Sequence, residues 1–75
     1  MIAGAAIRKD GKVYTGRRHS DIIRDNIEAE VGFGGEQGFV TDSGEFVSRM
    51  DAAKIAFECG QIRHHKHQLY SEDLY

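Results

Sequence analysis

The stretch GEQGFVTDSGEFVSRMDAA, residues 35–53, decides how this chain is read. Gly38 to Thr41 carries the apolar and β-branched residues of a strand. Asp42-Ser43-Gly44 follows as a turn, because short polar side chains and glycine accept the dihedrals a reversal needs. Glu45 to Val47 then returns as a second strand. Ser48 and Asp51 make an S-x-x-D capping box, so a helix opens there and runs to about Cys59, with Gly60 as its stop. Met50, Ala53 and Phe57 form one apolar stripe, widened by Ala52, Ile55, Ala56 and Cys59, which predicts a buried helix.

The upstream half has the same plan. Ile2 to Arg8 reads as a strand, and Val13 to Gly16 as its partner. Between them Lys9-Asp10-Gly11-Lys12 is a hairpin turn, since Asp-Gly supplies the two positive φ angles of a two-residue loop. A helix starts at His19 or Ser20 and extends to about Val31, with Ile23, Ile27 and Val31 on one face and Ile22 beside it. A shift of thirty-three residues sets Gly11 on Gly44, Val13 on Phe46, Thr15 on Ser48 and Ile22 on Ile55. The expectation is an α+β domain over residues 1–75 with a ββαββα order: a four-stranded antiparallel sheet and two helices on one face. Its halves span about 1–33 and 34–62, and a tail covers 63–75. Leu69, Tyr70, Leu74 and Tyr75 return apolar surface to that tail, so it is expected to dock on its own sheet or on a neighbouring subunit.

Seventy-five residues make one small domain. Chains of this size bury only about 60% of their unfolded surface, and many lean on disulfides, metals or oligomerisation. One cysteine excludes an internal disulfide and fits a reducing compartment. No apolar run is long enough for a membrane span, and no signal-peptide pattern is present. The net charge of −2 gives no basic excess for a nucleic acid duplex.

Several constellations carry possible chemistry. His64, His65, His67 and His19 are metal-ligand types, but H-H-x-H lacks an i, i+4 pair, a cysteine partner or a fixed carboxylate, so a solvated linker is the expectation. Cys59 lies on the apolar face of a helix predicted to be buried and reads as a small core residue. Glu36, Glu45, Glu72 and Asp73 form no recognisable catalytic frame, and Gly32-Phe33-Gly34-Gly35 precedes a strand rather than a helix, unlike a dinucleotide fingerprint. Neither catalysis nor a cofactor or metal is therefore the expectation. Arg17, Arg18 and His19 precede the first helix and Arg49 opens the second, where cationic forks and backbone N–H groups suit phosphate. Phe33, Phe39 and Phe46 are candidates to stack on a base, and Gln37 to read its edge. The plainer alternative is solvent-exposed arginines over a core that contains Phe39 and Phe46.

These residues resemble a group of small phage-encoded proteins. Ala5-Ala6-Ile7 with Gly16-Arg17-Arg18-His19 makes the first block. Glu36-Gln37-Gly38-Phe39, Phe46, Arg49, Ala52-Ala53, Ala56 and Gly60-Gln61 make the second, and Leu69-Tyr70-Ser71-Glu72-Asp73-Leu74 the third. The pattern is similar to that of anti-Thoeris and anti-CBASS sponges, phage anti-defence proteins that sequester nucleotide immune signals. The resemblance implies a homo-oligomer in the host cytoplasm that binds a cyclic nucleotide or cyclic ADP-ribose isomer without cleaving it. Arg18, His19, Gln37, Phe39 and Arg49 are the ligand candidates it suggests. Two other classes stand beside it: a protein-binding inhibitor that docks on a host defence or replication enzyme through Leu69 to Tyr75, and an enzyme acting on a nucleotide.

Overall fold

The computed structural model describes residues 1–74. Strands β1 (Ile2–Lys9) and β2 (Lys12–Gly16) form the first hairpin. Asp10 and Gly11 have φ of 52° and 78°, the left-handed pair that a two-residue turn requires. Strands β3 (Glu36–Thr41) and β4 (Phe46–Ser48) form the second hairpin. The sheet order is β2-β1-β3-β4, and every pairing is antiparallel. The two hairpins thus meet along β1 and β3 at the centre, as a repeated ββα plan allows.

Ala5, Phe39 and Val47 sit side by side in the register and share the face that Ile7 also points to. Against this face lie Ile22, Val31, Ala52, Ala53, Ala56 and Leu69, all buried. The core is built largely of alanine and single branched residues, so the helices approach the sheet closely. Helix α2 (Arg49–Glu58) begins where expected: the Ser48 hydroxyl accepts the Asp51 N–H at 3.1 Å. It ends in a Schellman arrangement, with Gly60 at φ 82° and the Gln61 N–H donating to the Ala56 carbonyl at 2.8 Å.

Three expectations are corrected. Helix α1 spans only His19–Asp25, not His19 to Val31. It ends at its C-cap Asn26, where the backbone leaves the helical region at φ −125° and ψ 38°; the Asn26 backbone N–H and side-chain amide both donate to the Ile22 carbonyl, at 3.1 and 2.9 Å. A short 3-10 turn over Ile27–Ala29 follows, and Glu30 takes a left-handed φ of 54°. Ile22 and Val31 therefore reach the core, while Ile27 is 69% exposed. In α2 the buried face is Ala52, Ala53 and Ala56, and Met50 and Phe57 face outward. Cys59 caps the helix and is exposed rather than buried.

The tail docks on its own domain. Leu69 is fully buried in the core, and Leu74 packs partly against it. The Leu69 N–H donates to the Arg49 carbonyl at 3.0 Å, while Arg49 Nη1 donates to the Leu69 carbonyl at 2.7 Å. Tyr75 lies outside the described residues. Gln61 ties the start of the tail to the sheet: its amide accepts the Ile2 N–H at 2.7 Å and donates to the Ile2 carbonyl at 2.9 Å. No helix among the described residues is long and apolar enough to cross a membrane.

Candidate functional site

The two helix starts and the tail meet in one small cleft of about 190 Å³. Arg18 and His19 come from the start of α1, Arg49 from the start of α2, and Tyr70, Ser71 and Glu72 from the tail. Three segments distant in sequence therefore build it, over the middle of the sheet, where His19 reaches the Gly38 carbonyl.

His19 forms its floor and is buried. Its Nε2 lies 2.7 Å from the Gly38 carbonyl oxygen and its Nδ1 lies 2.6 Å from the Ser71 hydroxyl. A carbonyl can only accept, so Nε2 carries the proton and Nδ1 accepts from the Ser71 O–H in the neutral ring. The His19 backbone N–H also donates to Ser71 Oγ at 3.2 Å. Phe39 meets the imidazole edge-on, with ring centroids 5.0 Å apart. Burial lowers the His19 pKa from 6.5, and the Arg49 charge adds to this, against the Gly38 and Ala6 backbone and Glu72, which favour the cation. His19 is thus neutral at physiological pH.

Arg49 is half-buried and held from three sides. Nη1 donates to Leu69, Nη2 donates to the Gln37 amide oxygen, and its guanidinium carbon lies 4.6 Å from the Tyr70 ring centroid. A guanidinium has five N–H donors, so this arrangement orients the fork and leaves donors for a further acceptor. Tyr70 is 42% exposed and lines the cleft.

A serine hydroxyl on a histidine nitrogen is also the geometry of an activated nucleophile. Here the Ser71 oxygen is only slightly accessible and is engaged twice by His19. The arrangement serves as a joint between tail and sheet. The described residues contain no group of three metal-ligating side chains suited to an ion.

Of the seven residues singled out from the sequence, the cleft brings together Arg18, His19 and Arg49. Gln37 stands beside it, as the partner of Arg49. Arg17 is exposed and does not line it. Phe39 lies beneath His19, fully buried in the core, so it offers no surface for stacking. Phe46 is on the opposite face of the sheet, where it lies under Arg8 at 4.6 Å, and Arg8 is paired with Glu36. A larger depression of about 560 Å³ lies along the outer side of α2, lined by Met50, Phe57, His65 and charged neighbours. It contains none of the seven, although Lys54 and Lys66 line it, and we place the candidate site at the smaller cleft because that is where Arg18, Arg49 and the hydrogen-bonded network around His19 converge.

A family model described as phage T4 y16D protein matches residues 1–75. The chain belongs to the phage T4 y16D protein family. It is therefore a small phage protein, as its sequence blocks suggest. The curated proteins give no match, and neither do the solved structures.

Sequence reasoning placed Tyr70, Ser71 and Glu72 in a docking tail, not in the site. No spacing rule links residue 71 to residue 19. The signal that was present is the polar Ser-Glu-Asp run between Leu69 and Leu74: a tail anchored by leucines on both sides holds its intervening polar groups against whatever lies beneath.

Proposed function

We propose that this family member binds and sequesters a small phosphorylated immune signal, a cyclic nucleotide or a cyclic ADP-ribose isomer, as an anti-defence protein in the infected cell's cytoplasm. The observation that carries the reading is the convergence of Arg18 and Arg49, from the starts of two helices, on one cleft beside an exposed tyrosine ring. Arginine forks match phosphate oxygens, and an aromatic face stacks on a base without regard to its identity. The ordered Arg49 side chain reduces the entropy lost when an anion is bound.

The size of the cleft adds a condition. Ligand sites usually measure about 300–1,000 Å³, well above 190 Å³. The reading therefore requires that one chain contribute part of a site and a second copy complete it, in a homo-oligomer with the ligand at the subunit boundary. Arg18, Arg49 and Tyr70 are the contacts we assign, with neutral His19 as the floor and Gln37 as the support for Arg49. The rival reading, a protein-binding inhibitor, has its best support away from the tail, in the outward Met50 and Phe57 of α2, since Leu69 and Leu74 are taken up by the core.

The test is capture and release. The protein is incubated with a panel of cyclic dinucleotides, cyclic trinucleotides and cyclic ADP-ribose isomers, free compound is filtered away, and the protein is heat-denatured. Chromatography should recover one compound intact. Arg18→Ala should reduce capture about tenfold or more, as loss of one charge-assisted hydrogen bond worth about 1.5–3 kcal/mol requires. Ile27→Ala, on the far surface, should capture normally. Retention of nothing, or recovery of a converted product, would overturn the reading.

A further inference from the structure

The His19–Ser71 joint has a property that ligand binding does not require. Every hydrogen-bonding group in it is used once the ring is neutral. Nε2–H donates to Gly38, Ser71 O–H donates to Nδ1, and His19 N–H donates to Ser71 Oγ. A second ring proton breaks this closure. Nδ1–H must then donate to Ser71 Oγ, which already accepts the backbone N–H, and the serine's own hydrogen loses its acceptor in a nearly inaccessible place.

We propose that residues 69–73 are a clasp locked by the neutral Nε2–H form of His19, and that protonation of His19 releases the clasp and withdraws Tyr70 and Glu72 from the cleft. The tail is the side that yields. Gly38 is fixed in the centre of the sheet, paired with Ala6 on one side and Ser48 on the other. The tail is held by Leu69, by its two hydrogen bonds with Arg49, and by a local ion pair between Lys66 and Asp73 at 2.6 Å. The charged groups facing the imidazole are Arg49 from α2, which opposes its protonation, Glu72 from the tail, which favours it, and Arg18 at the start of α1. The strands beneath present Ala6, Gly38 and Phe39, none of which titrates. The attraction of Glu72 for an imidazolium works against release, but it is the weakest of the influences on the ring, and the broken hydrogen-bond closure outweighs it. The clasp itself does not rest on the proposed ligand; only its consequence for capture does.

The experiment uses the full chain without ligand. Ring nitrogen chemical shifts at about pH 7.5 should show His19 as the Nε2–H tautomer. Amide exchange, corrected for its intrinsic pH dependence, should show protection at Leu69 to Asp73 falling about tenfold per pH unit relative to β3 as pH drops below about 6.5. Ser71→Ala should loosen the tail at every pH and abolish the step. His64→Asn, His65→Asn and His67→Asn combined should keep it. The opposite tautomer, a step that survives Ser71→Ala, a step that vanishes in the triple variant, or simultaneous loss of tail and β3 protection would each overturn the proposal. The tautomer measurement needs no variant, so it holds even where Ser71→Ala does not fold. These readouts stay meaningful if no compound is captured, so failure of the clasp and failure of the sequestration reading are separable.

Discussion

Gly38→Ala tests the packing logic of the sheet most sharply. Gly38 sits in β3 with Ala6 on one side and Ser48 on the other, and its carbonyl receives the His19 Nε2–H. A methyl group there would stand 2.7 Å from Phe46 Cζ and inside contact distance of the Val47 carbonyl oxygen. The Phe46 ring could swing aside, at the expense of its contact with Arg8. The Val47 carbonyl is backbone of the short strand β4, and moving it disturbs the Phe39–Val47 pairing. Overpacking costs about 1–3 kcal/mol, and here the obstacle is main chain, so the upper end applies. A domain of this length has about 4–11 kcal/mol in total. At about 4–8 °C per kcal/mol, Gly38→Ala should lower Tm by roughly 12–24 °C. Gly44→Ala is the comparison: nothing lies within 4 Å of the added carbon, and only its φ of 85° resists. That left-handed angle costs about 1–2 kcal/mol. Thermal and urea unfolding followed by circular dichroism would rank the two. A Gly38→Ala protein as stable as Gly44→Ala, or more so, would refute the argument that the missing side chain is what lets β4 and Phe46 close over the sheet.

Leu69→Ala should cost about 2–5 kcal/mol, the range for emptying a fully buried leucine site, and urea unfolding measures it. Stability should also fall with acid in a defined window. His19 has a folded pKa below its unfolded value of 6.5, so the unfolded chain takes up the proton first; the His19 contribution is complete above pH 6.5 and is lost as pH falls from there toward the folded value. For Asp73, burial works against the carboxylate, but the Lys66 hydrogen bond and the Tyr70 N–H outweigh it and hold the pKa below 3.8; its contribution is lost only as pH falls from 3.8 through that lower value. Urea midpoints measured across pH should therefore show two separate declines, and His19→Gln should remove the upper one.

The parts of this fold legible in sequence are those set by local chemistry. Asp10-Gly11 and Asp42-Ser43-Gly44 specify their turns through φ angles and short polar side chains, and both turns occur where they were read. Ser48 caps α2 through a hydrogen bond three residues long. What periodicity misjudged was settled by contacts beyond its reach. Ile27 keeps helical spacing with Ile23 and Val31, yet the backbone leaves the helix at Asn26 and Ile27 turns outward. In α2, alanines rather than Met50 and Phe57 face the sheet, because the tail brings Leu69 to fill the volume that larger helix side chains would have taken. The site followed the same division. Arg18, His19 and Arg49 were visible because helix starts are visible, whereas Tyr70, Ser71 and Glu72 enter through tertiary docking, which no local pattern encodes.

That division has a consequence for how a ligand would be detected. The cleft is assembled from α1, α2 and the tail, so it exists only when all three are in place. A compound that binds it stabilises the folded state by RT ln(1 + [L]/Kd), about 2.7 kcal/mol at a hundredfold excess over Kd. Against the small total stability of such a domain this should raise Tm by roughly 11–22 °C, readily seen in a thermal-shift screen. The tail makes the measurement site-specific. In Ser71→Ala, with the clasp loosened, part of the binding energy must go into re-closing the tail, so the same compound at the same concentration should give a smaller shift. An equal shift in both proteins would place the ligand elsewhere, and the open depression beside Met50 and Phe57 would become the surface to map.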